Sequence, residues 1–120
     1  MEQELAKPLV TVVTPAYNQA KFLPETIESI LSNGYRPLEF IVLDDGSKDN
    51  TREVLERYRD DLTIVSHPNM GETPTVNKGL RMAKGEFVMI VNSDDPLRPG
   101  AIGKLAAALE ANPDALLAYP

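Results

Sequence analysis

A chain of 120 residues, with 42% hydrophobic and 25% charged side chains, has the size and composition of one soluble globular domain or of part of one. Its net charge of -6 argues against general nucleic-acid binding, which needs clustered Lys and Arg, whereas the basic residues here are scattered. Cysteine is absent, so disulfides and thiolate metal sites are excluded. Because the start is acidic and no apolar run reaches the roughly 20 residues that cross a bilayer, we expect a cytoplasmic protein, or one at the cytoplasmic face of a membrane.

The first half of the chain predicts two strand–helix units. The apolar runs Leu9 to Thr14 and Leu38 to Leu43 are nearly continuous, which is typical of strands covered on both faces. One helix is predicted after the first run, with Pro24 at its first position. Another is predicted from the capping-box-like stretch Asn50 to Glu53. The apolar stripes of these helices are Ile27, Ile30 and Leu31 in the first and Val54, Leu55 and Tyr58 in the second.

The second half repeats this alternation. Strands are predicted at Leu62 to Val65 and Phe87 to Val91. Thr73-Pro74 predicts the start of a third helix that ends at Gly85, and Pro99-Gly100 predicts the start of a fourth. The inward faces are expected to be Val76, Leu80 and Ala83 in the third helix and Ile102, Leu105, Ala106 and Leu109 in the fourth.

This order of elements predicts an α/β fold with an open, mainly parallel, Rossmann-like sheet and helices on both faces. Ala115 to Tyr119 predicts a fifth strand in which the sequence stops, so we expect the chain to be a fragment of a longer protein. Such a cut would leave the edge of the fourth strand, Phe87 to Val91, unpaired. Because unpaired edges join other chains, self-association through this edge is expected.

Polar residues follow each of the four predicted strands. Ligands of open α/β sheets bind outside the carboxyl ends of the strands, so we expect these residues to converge on one edge. The stretches concerned are Pro15 to Asn18, Asp44 to Ser47, His67 to Gly71 and Asn92 to Asp95.

Asp94 and Asp95 are the sharpest chemical feature among them. Two adjacent carboxylates repel each other unless a cation neutralises them. Carboxylate oxygens with free coordination positions suit Mg²⁺ or Mn²⁺ shared with a diphosphate, and the cation would let an acidic chain hold an anionic ligand. The alternative is that one of the two side chains caps the turn before Pro96.

Asp45 and Tyr17 are candidates for contacts with a nucleotide. Asp45 could accept hydrogen bonds from a base or a ribose, with Gly46 in a tight turn of positive φ, or the stretch could be a plain turn that caps the next helix. Tyr17 could stack on a base or be a structural tyrosine. His67, the only histidine, has no nucleophile pattern near it, so we expect a solvated loop residue without a role.

Four segments together resemble the first half of a family 2 glycosyltransferase with the glycosyltransferase A fold. They are Val10 to Asn18, Phe40 to Thr51, Asn69 to Gly79 and Gly85 to Asp95, and they cover almost the whole chain. The resemblance implies that residues 1–120 form the donor-binding half of a hexosyltransferase-like enzyme. Such an enzyme moves a sugar, with inversion, from a nucleotide-diphosphate sugar to a hydroxyl of a saccharide, lipid or protein acceptor.

The resemblance also implies roles for single residues. Pro15 and Tyr17 would border the base, and Asp45 would contact it. Asp95 would be the better metal ligand, while Asp94 would face the ribose or the metal. A Mn²⁺ or Mg²⁺ ion would bridge the diphosphate and stabilise the departing nucleoside diphosphate.

Two positions depart from the family pattern. The first D-x-D position is the neutral Asn92, and Val76 stands where many members carry Arg or Lys towards the phosphates. The carboxylate base that deprotonates the acceptor is expected beyond Pro120, so no catalytic residue is assigned within this chain. We therefore expect the chain to bind a donor weakly or not at all and to transfer no sugar alone. A non-catalytic nucleotide-binding or regulatory module is the alternative.

Overall fold

The structure is a computed structural model that describes residues 7–114. The predicted fifth strand, Ala115 to Tyr119, lies outside the described residues. Within them the eight predicted elements are confirmed in type and order. They are β1 (Val10–Ala16), α1 (Leu23–Leu31), β2 (Leu38–Asp45), α2 (Thr51–Glu56), β3 (Thr63–His67), α3 (Glu72–Met82), β4 (Phe87–Ile90) and α4 (Ala101–Ala111).

Three strands run further than the hydrophobic pattern predicts. β1, β2 and β3 end at Ala16, Asp45 and His67 rather than at Thr14, Leu43 and Val65. The added residues are partly polar but still pair across the sheet, since Ala16 lies opposite Asp44 and Asp45 lies opposite His67. The last polar residues of these strands are therefore held by the sheet rather than by loops.

All strand pairs are parallel, and the order across the sheet is β3-β2-β1-β4. The chain adds β2 and β3 on one side of β1 and then crosses to place β4 on the other side. The strand order thus reverses between β1 and β4, and open α/β sheets bind ligands outside the carboxyl ends of strands at such a switch point. The expected open parallel α/β sheet is confirmed.

Helices cover both faces, as predicted. Residues of α1, α2 and α4 pack with Val12 and Val42 in the larger core cluster. α3 covers the opposite face, where the smaller cluster consists of Val13, Ile41 and Leu43. The helix lies close to the sheet because Gly79 has no side chain, since a Cβ there would lie 2.5 Å from Cγ1 of Val13.

The predicted inward face of α3 is wrong. Leu80 is 40% exposed, and the buried residues of the helix are Thr75 and Gly79. The close approach at Gly79 turns the helix so that Thr75, Gly79 and Met82, spaced by about one helical turn, face the sheet instead of Val76 and Leu80. The spacing of the apolar residues therefore predicts a helix face that is displaced by one residue from the face that packs against the sheet.

The predicted ends of two helices also differ. α3 ends at Met82, before Gly85, whose missing side chain instead makes room for Thr11, because a Cβ would lie 2.6 Å from the Thr11 Oγ1 atom. Asn50 precedes α2 but makes no side-chain capping hydrogen bond, so the capping box is wrong. The carboxylate of Asp49 takes this place, because its Oδ1 accepts a hydrogen bond of 2.9 Å from the Thr51 N–H.

The edge strand β4 is covered on one face only. Val88 and Ile90 are 41% and 49% exposed on the face that carries α3, whereas Phe87 and Met89 pack against the larger core. The continuous apolar run predicts a strand covered on both faces, but residues 7–114 cover only one face of β4. Among these residues no helix has the length and apolar character needed to cross a membrane. Self-association through the β4 edge stays a prediction.

Candidate functional site

The carboxyl ends of the strands border one cleft with a volume of about 460 Å³. This volume lies within the range of small-molecule sites, roughly 300 to 1,000 Å³. The cleft lies at the switch point, and residues from all four strand ends or their following loops reach it, as the sequence predicts. Its walls are Pro15, Ala16, Tyr17, Gln19, Asp45, Asn69, Gly71, Glu72, Asn92, Ser93 and Asp94.

Pro15 and Tyr17 form the wall at the end of β1. The ladder between β1 and β4 ends at Val13, so Pro15, which has no N–H, lies beyond it on that side. Tyr17 follows the strand with 41% of its surface exposed at the cleft. An exposed aromatic ring in this position can stack on a nucleobase.

The loops after β1 and β2 are tied to each other by their side chains. Asn18, at φ 53°, accepts hydrogen bonds at its Oδ1 from the N–H groups of Lys48 (2.7 Å) and Asp49 (3.3 Å). Its own N–H donates to the Ser47 Oγ at 2.9 Å. The position of Tyr17 therefore depends on the turn that follows β2.

Asp45, the last residue of β2, also lines the cleft and is buried, with 4% of its surface exposed. Its Oδ1 accepts the N–H of Met70 at 2.8 Å and contacts the His67 Nε2 at 3.1 Å. Its Oδ2 accepts the N–H of Gly71 at 3.1 Å and the Nδ2 of Asn69 at 3.2 Å. Four donors match the roughly four lone-pair positions of a carboxylate, so a ligand N–H would have to share an oxygen with them.

The plain-turn alternative fits the preceding residue better than it fits Asp45. The Asp44 Oδ1 accepts a hydrogen bond of 3.0 Å from the Ser47 N–H, which closes the turn after β2. Gly46 adopts φ 69°, as expected, and a Cβ there would lie 2.4 Å from the Asn69 backbone N. Glycine is therefore needed both for the turn and for the loop that reaches Asp45.

The expectation that His67 is a solvated loop residue is wrong. It is the last residue of β3, and its side chain is 8% exposed. Its ring contacts Asp45, the Thr75 Oγ1 at 3.2 Å and the Lys78 Nζ at 3.3 Å. The signal that could have found it is the register, because in a parallel sheet paired residues of neighbouring strands face the same side, and His67 pairs with Asp45.

Asp94 and Asp95 lie in one turn but face different cavities. The Asp95 N–H donates to the Asn92 carbonyl at 3.1 Å, and the carbonyl of buried Ser93 accepts from the Thr26 Oγ1 at 2.8 Å, which fastens the turn to α1. Asp94 lines the cleft, whereas Asp95 lines a neighbouring apolar groove between β4 and α4. Neither carboxylate accepts a hydrogen bond from residues 7–114, which disfavours the turn-cap alternative.

Gln19 is a cleft residue that sequence reasoning missed. Its N–H donates to the Thr51 Oγ1 at 3.1 Å, which fixes the backbone at this point of the wall. Its side-chain Oε1 is buried without a hydrogen-bond partner among residues 7–114. Buried polar atoms are rarely left unpaired, so this oxygen is a candidate acceptor for a ligand group. No sequence pattern distinguishes this glutamine from an exposed loop residue.

The family model described as "Glycosyl transferase family 2" matches residues 11–119. The chain belongs to that family. The resemblance noted from the sequence is thereby confirmed. Glycosyltransferase GlyG of Streptococcus pneumoniae is similar, with 39% identity over 101 residues, which are 81% of this chain and 34% of the relative. The chain spans about a third of the length of the curated relatives it matches.

Solved structures of glycosyltransferases share the fold. S. aureus TarS 1–349 in complex with UDP-GlcNAc is similar with a TM-score of 0.79 and 31% identity, over 88% of this chain and 32% of that one. The mannosyltransferase PcManGT from Pyrobaculum calidifontis, in complex with GDP-Man and Mn²⁺, has a TM-score of 0.72 and 32% identity, over 79% and 30%. The expected fold of the glycosyltransferase A type is confirmed.

The donor atoms of this family 2 chain are compatible with a divalent cation. Residues 7–114 contain no group of three or more His, Cys, Asp or Glu side chains arranged around a metal. Mg²⁺, however, is usually held by one or two carboxylates, with phosphates and water as the other ligands. Asp94 offers an exposed carboxylate at the cleft without a protein partner among these residues, which suits that kind of site.

Proposed function

We propose that this family 2 chain is the donor-binding part of an enzyme that transfers a sugar from a nucleotide-diphosphate sugar to an acceptor hydroxyl. The observation that carries the proposal is the cleft at the switch point, where Tyr17, Asp45 and Asp94 meet from three different strand ends. Family membership supports the reaction class. The complexes of TarS with UDP-GlcNAc and of PcManGT with GDP-Man and Mn²⁺ support the ligand class.

Pro15 and Tyr17 would border the base on one wall of the cleft. Asp45 would contact the base from the end of β2 and share an oxygen that already accepts protein N–H groups. Asp94 would face the ribose or the cation. The unpaired Oε1 of Gln19 adds an acceptor to the first wall.

Charge supports the need for a cation. Three carboxylates line the cleft, those of Asp45, Glu72 and Asp94, and its described lining includes no Lys or Arg. A diphosphate would be repelled by this lining unless a positive charge lay between them. Asp94, which lines the cleft, would hold Mn²⁺ or Mg²⁺, whereas Asp95, the better ligand expected from the sequence, lines the neighbouring groove. The bound cation would supply positive charge to the departing nucleoside diphosphate.

The acceptor and the base that deprotonates it would belong to residues outside this sequence. In that arrangement the acceptor hydroxyl attacks the anomeric carbon in one displacement, which inverts its configuration. The role of the chain itself is to bind and orient the donor. We therefore expect weak donor binding and no sugar transfer by the 120-residue chain alone, and its cytoplasmic location stays a prediction.

An NMR titration of the ¹⁵N-labelled chain with UDP, GDP and dTDP, each with and without Mg²⁺, tests the proposal. We expect at least one nucleotide to bind with a dissociation constant in the millimolar range or below, and Mg²⁺ to strengthen binding by about tenfold, or about 1.4 kcal/mol. Asp94→Ala should remove this strengthening. Asp60→Ala, which removes an exposed carboxylate that is not part of the cleft lining, is the matched control.

Two results would contradict the proposal. One is the absence of shifts around the cleft with all three nucleotides at millimolar concentration. The other is binding that does not depend on Mg²⁺ and is the same in the Asp94→Ala variant. For a protein that also contains an acceptor-binding half, nucleotide binding without transfer to any acceptor would favour the non-catalytic module.

A further inference from the structure

His67 belongs to a buried polar network behind the cleft that the proposed function leaves without a role. The side chains of His67 and Asp45 are 8% and 5% exposed, and the His67 Nε2 and Asp45 Oδ1 atoms are 3.1 Å apart. On the other side of the ring, the Lys78 Nζ lies 3.3 Å from the His67 Nδ1. Three elements, β2, β3 and α3, thus meet at one imidazole.

The partners of the ring determine which nitrogen carries the hydrogen. A lysine ammonium has three N–H donors and no acceptor, so the Nδ1 that faces Lys78 must be the acceptor. The hydrogen of the neutral ring is then on Nε2, which faces Asp45. A ring protonated on both nitrogens would direct an N–H at the donors of Lys78.

The second contact of Nε2 agrees with this assignment. The Thr75 Oγ1 lies 3.2 Å from Nε2, and its own hydrogen is donated to the Gly71 carbonyl at 2.7 Å. Thr75 can therefore only accept from His67. The Nε2–H is shared between the Asp45 and Thr75 oxygens, and Nδ1 accepts from Lys78.

We propose that His67 is a positioning residue: as the Nε2–H tautomer selected by Lys78, it holds the Asp45 carboxylate in the orientation that the donor nucleotide meets. The inference rests on the proposed function for the role given to Asp45. His67 is absent from the cleft lining, so it acts through Asp45 and not on the ligand. Side chains that orient a ligand-contacting group in this way contribute to affinity without touching the ligand.

The consequence for binding follows from the other donors on the carboxylate. Two of them are backbone N–H groups of Met70 and Gly71, in the loop between β3 and α3. Without the His67 donor, the carboxylate can rotate towards these N–H groups and away from the geometry that the ligand needs. Loss of one hydrogen bond to a charged group should weaken nucleotide binding by about tenfold.

The first experiment reads the tautomer directly by ¹⁵N NMR of the imidazole nitrogens in the 120-residue chain, without nucleotide. We expect a protonated Nε2 and an unprotonated Nδ1. Lys78→Met removes the donor that faces Nδ1, so a hydrogen can occupy this nitrogen while Nε2 keeps its own, whereas Lys84→Met, which removes an exposed lysine that precedes β4 at the opposite end of the sheet, should leave Nδ1 unprotonated. An Nδ1–H tautomer or an imidazolium in the wild-type chain would overturn the inference.

The second experiment compares His67→Gln with His67→Leu in the nucleotide titration. The glutamine side chain can place an N–H donor near the position of Nε2, and leucine cannot. We expect His67→Gln to bind the nucleotide within about threefold of the wild type and His67→Leu to bind it about tenfold more weakly. If the ring served only for packing, His67→Gln and His67→Leu would not differ in nucleotide affinity in this way. Equal affinity of His67→Leu and the wild type would overturn the positioning role, because the Nε2–H donor would then make no difference to binding.

The outcomes separate this inference from the proposed function. If the wild-type chain binds none of the nucleotides, the proposed function fails, while the tautomer measurement still decides the geometry of His67. If His67→Leu does not fold, His67→Met, which likewise has no N–H donor, takes its place in the titration, with Lys84→Met as control. A His67→Met variant that folds and binds the nucleotide as tightly as the wild type does would also overturn the inference.

Discussion

Asp45 and Asp94 line the same cleft from different strand ends, and the fold treats their carboxylates differently. Asp45 is 4% exposed and surrounded by four N–H donors from His67, Asn69, Met70 and Gly71. Asp94 is exposed and accepts no hydrogen bond from residues 7–114. One carboxylate is thus part of the folded structure, and the other is available to a ligand or a cation.

The difference follows from the cost of burying charge. A buried carboxylate is tolerated only when hydrogen bonds replace the water it loses, and the loop between β3 and α3 provides them for Asp45. An exposed carboxylate keeps its hydration and can exchange it for a cation. Substitutions in the Asp45 wall should therefore change stability, whereas substitutions at Asp94 should change binding.

The largest effect is expected for Asp45→Ala. Removing the carboxylate leaves buried donors without an acceptor, so the free energy of unfolding should fall by about 3 kcal/mol. Asp94→Ala should change it by less than about 0.5 kcal/mol, as surface substitutions usually do. Urea denaturation followed by circular dichroism measures both. A similar loss of unfolding free energy in the two variants would show that the fold does not treat Asp45 and Asp94 differently.

A smaller effect is expected at the turn that allows the loop to reach Asp45. Gly46→Ala would bring a Cβ to 2.4 Å from the Asn69 backbone N at φ 69°, whereas Gly34, at φ 94°, has no atom within 4 Å of the corresponding position. Both substitutions carry the backbone strain of positive φ, about 1 kcal/mol. Gly46→Ala should cost about 2 kcal/mol more than Gly34→Ala, since overpacking adds to the strain.

Thermal unfolding compares the two glycine variants, and NMR shows where each one changes. In Gly46→Ala the largest shifts should fall on the loop that follows β3 and on Asp45. Equal melting temperatures for the two variants would mean that the loop can move away without loss, and that Asp45 does not depend on its close approach.

A loss of stability smaller than those at Asp45 and Gly46 is expected at Asp49, which joins the loops after β1 and β2. Desolvation raises the pKa of its carboxyl, but hydrogen bonds from Thr51 and Ala20 outweigh it and keep the pKa below its ordinary value of 3.8. A depressed folded-state pKa means that the stabilising contribution is present above pH 3.8 and is lost as the pH falls through the folded pKa. Asp49→Ala should cost about 1 kcal/mol at neutral pH, the usual value of a helix cap.

Urea titrations over a range of pH check this prediction. The gap in unfolding free energy between the wild type and Asp49→Ala should narrow as the pH falls below 3.8. A gap that stays constant with pH would show that the side chain contributes by packing rather than by its charge.

The sequence predicts the eight elements and the convergence of the strand ends because both depend on local patterns. Continuous apolar runs mark the strands, and their carboxyl ends must meet at one edge of a parallel sheet. The inward face of α3 could not be predicted in this way. It depends on the contact of Gly79 with Val13, residues from different elements, and on Thr75, a polar residue that faces inward to bond with Gly71 and His67.

The site itself was predictable only in part, for the same reason. Tyr17, Asp45 and Asp94 follow strand ends and could be identified by position alone. The sequence could not show that protein donors already occupy the acceptor positions of the Asp45 carboxylate. These donors lie more than 20 residues away, and the path of the loop that carries them depends on Gly46. The separation of Asp94 from Asp95 depends on the rotation of one turn, which no sequence pattern specifies.

The most direct test of the account maps the cation. In NMR spectra of the 120-residue chain, a small amount of Mn²⁺ broadens the signals of nearby amides. We predict that in the presence of UDP, GDP or dTDP the broadening centres on residues 92–95 and extends across the cleft to Tyr17 and Gly71, and that Asp94→Ala abolishes it. Broadening centred on other carboxylates, such as Asp60 and Asp61, or a pattern that is unchanged by nucleotide and by Asp94→Ala, would contradict a donor site at this edge of the sheet.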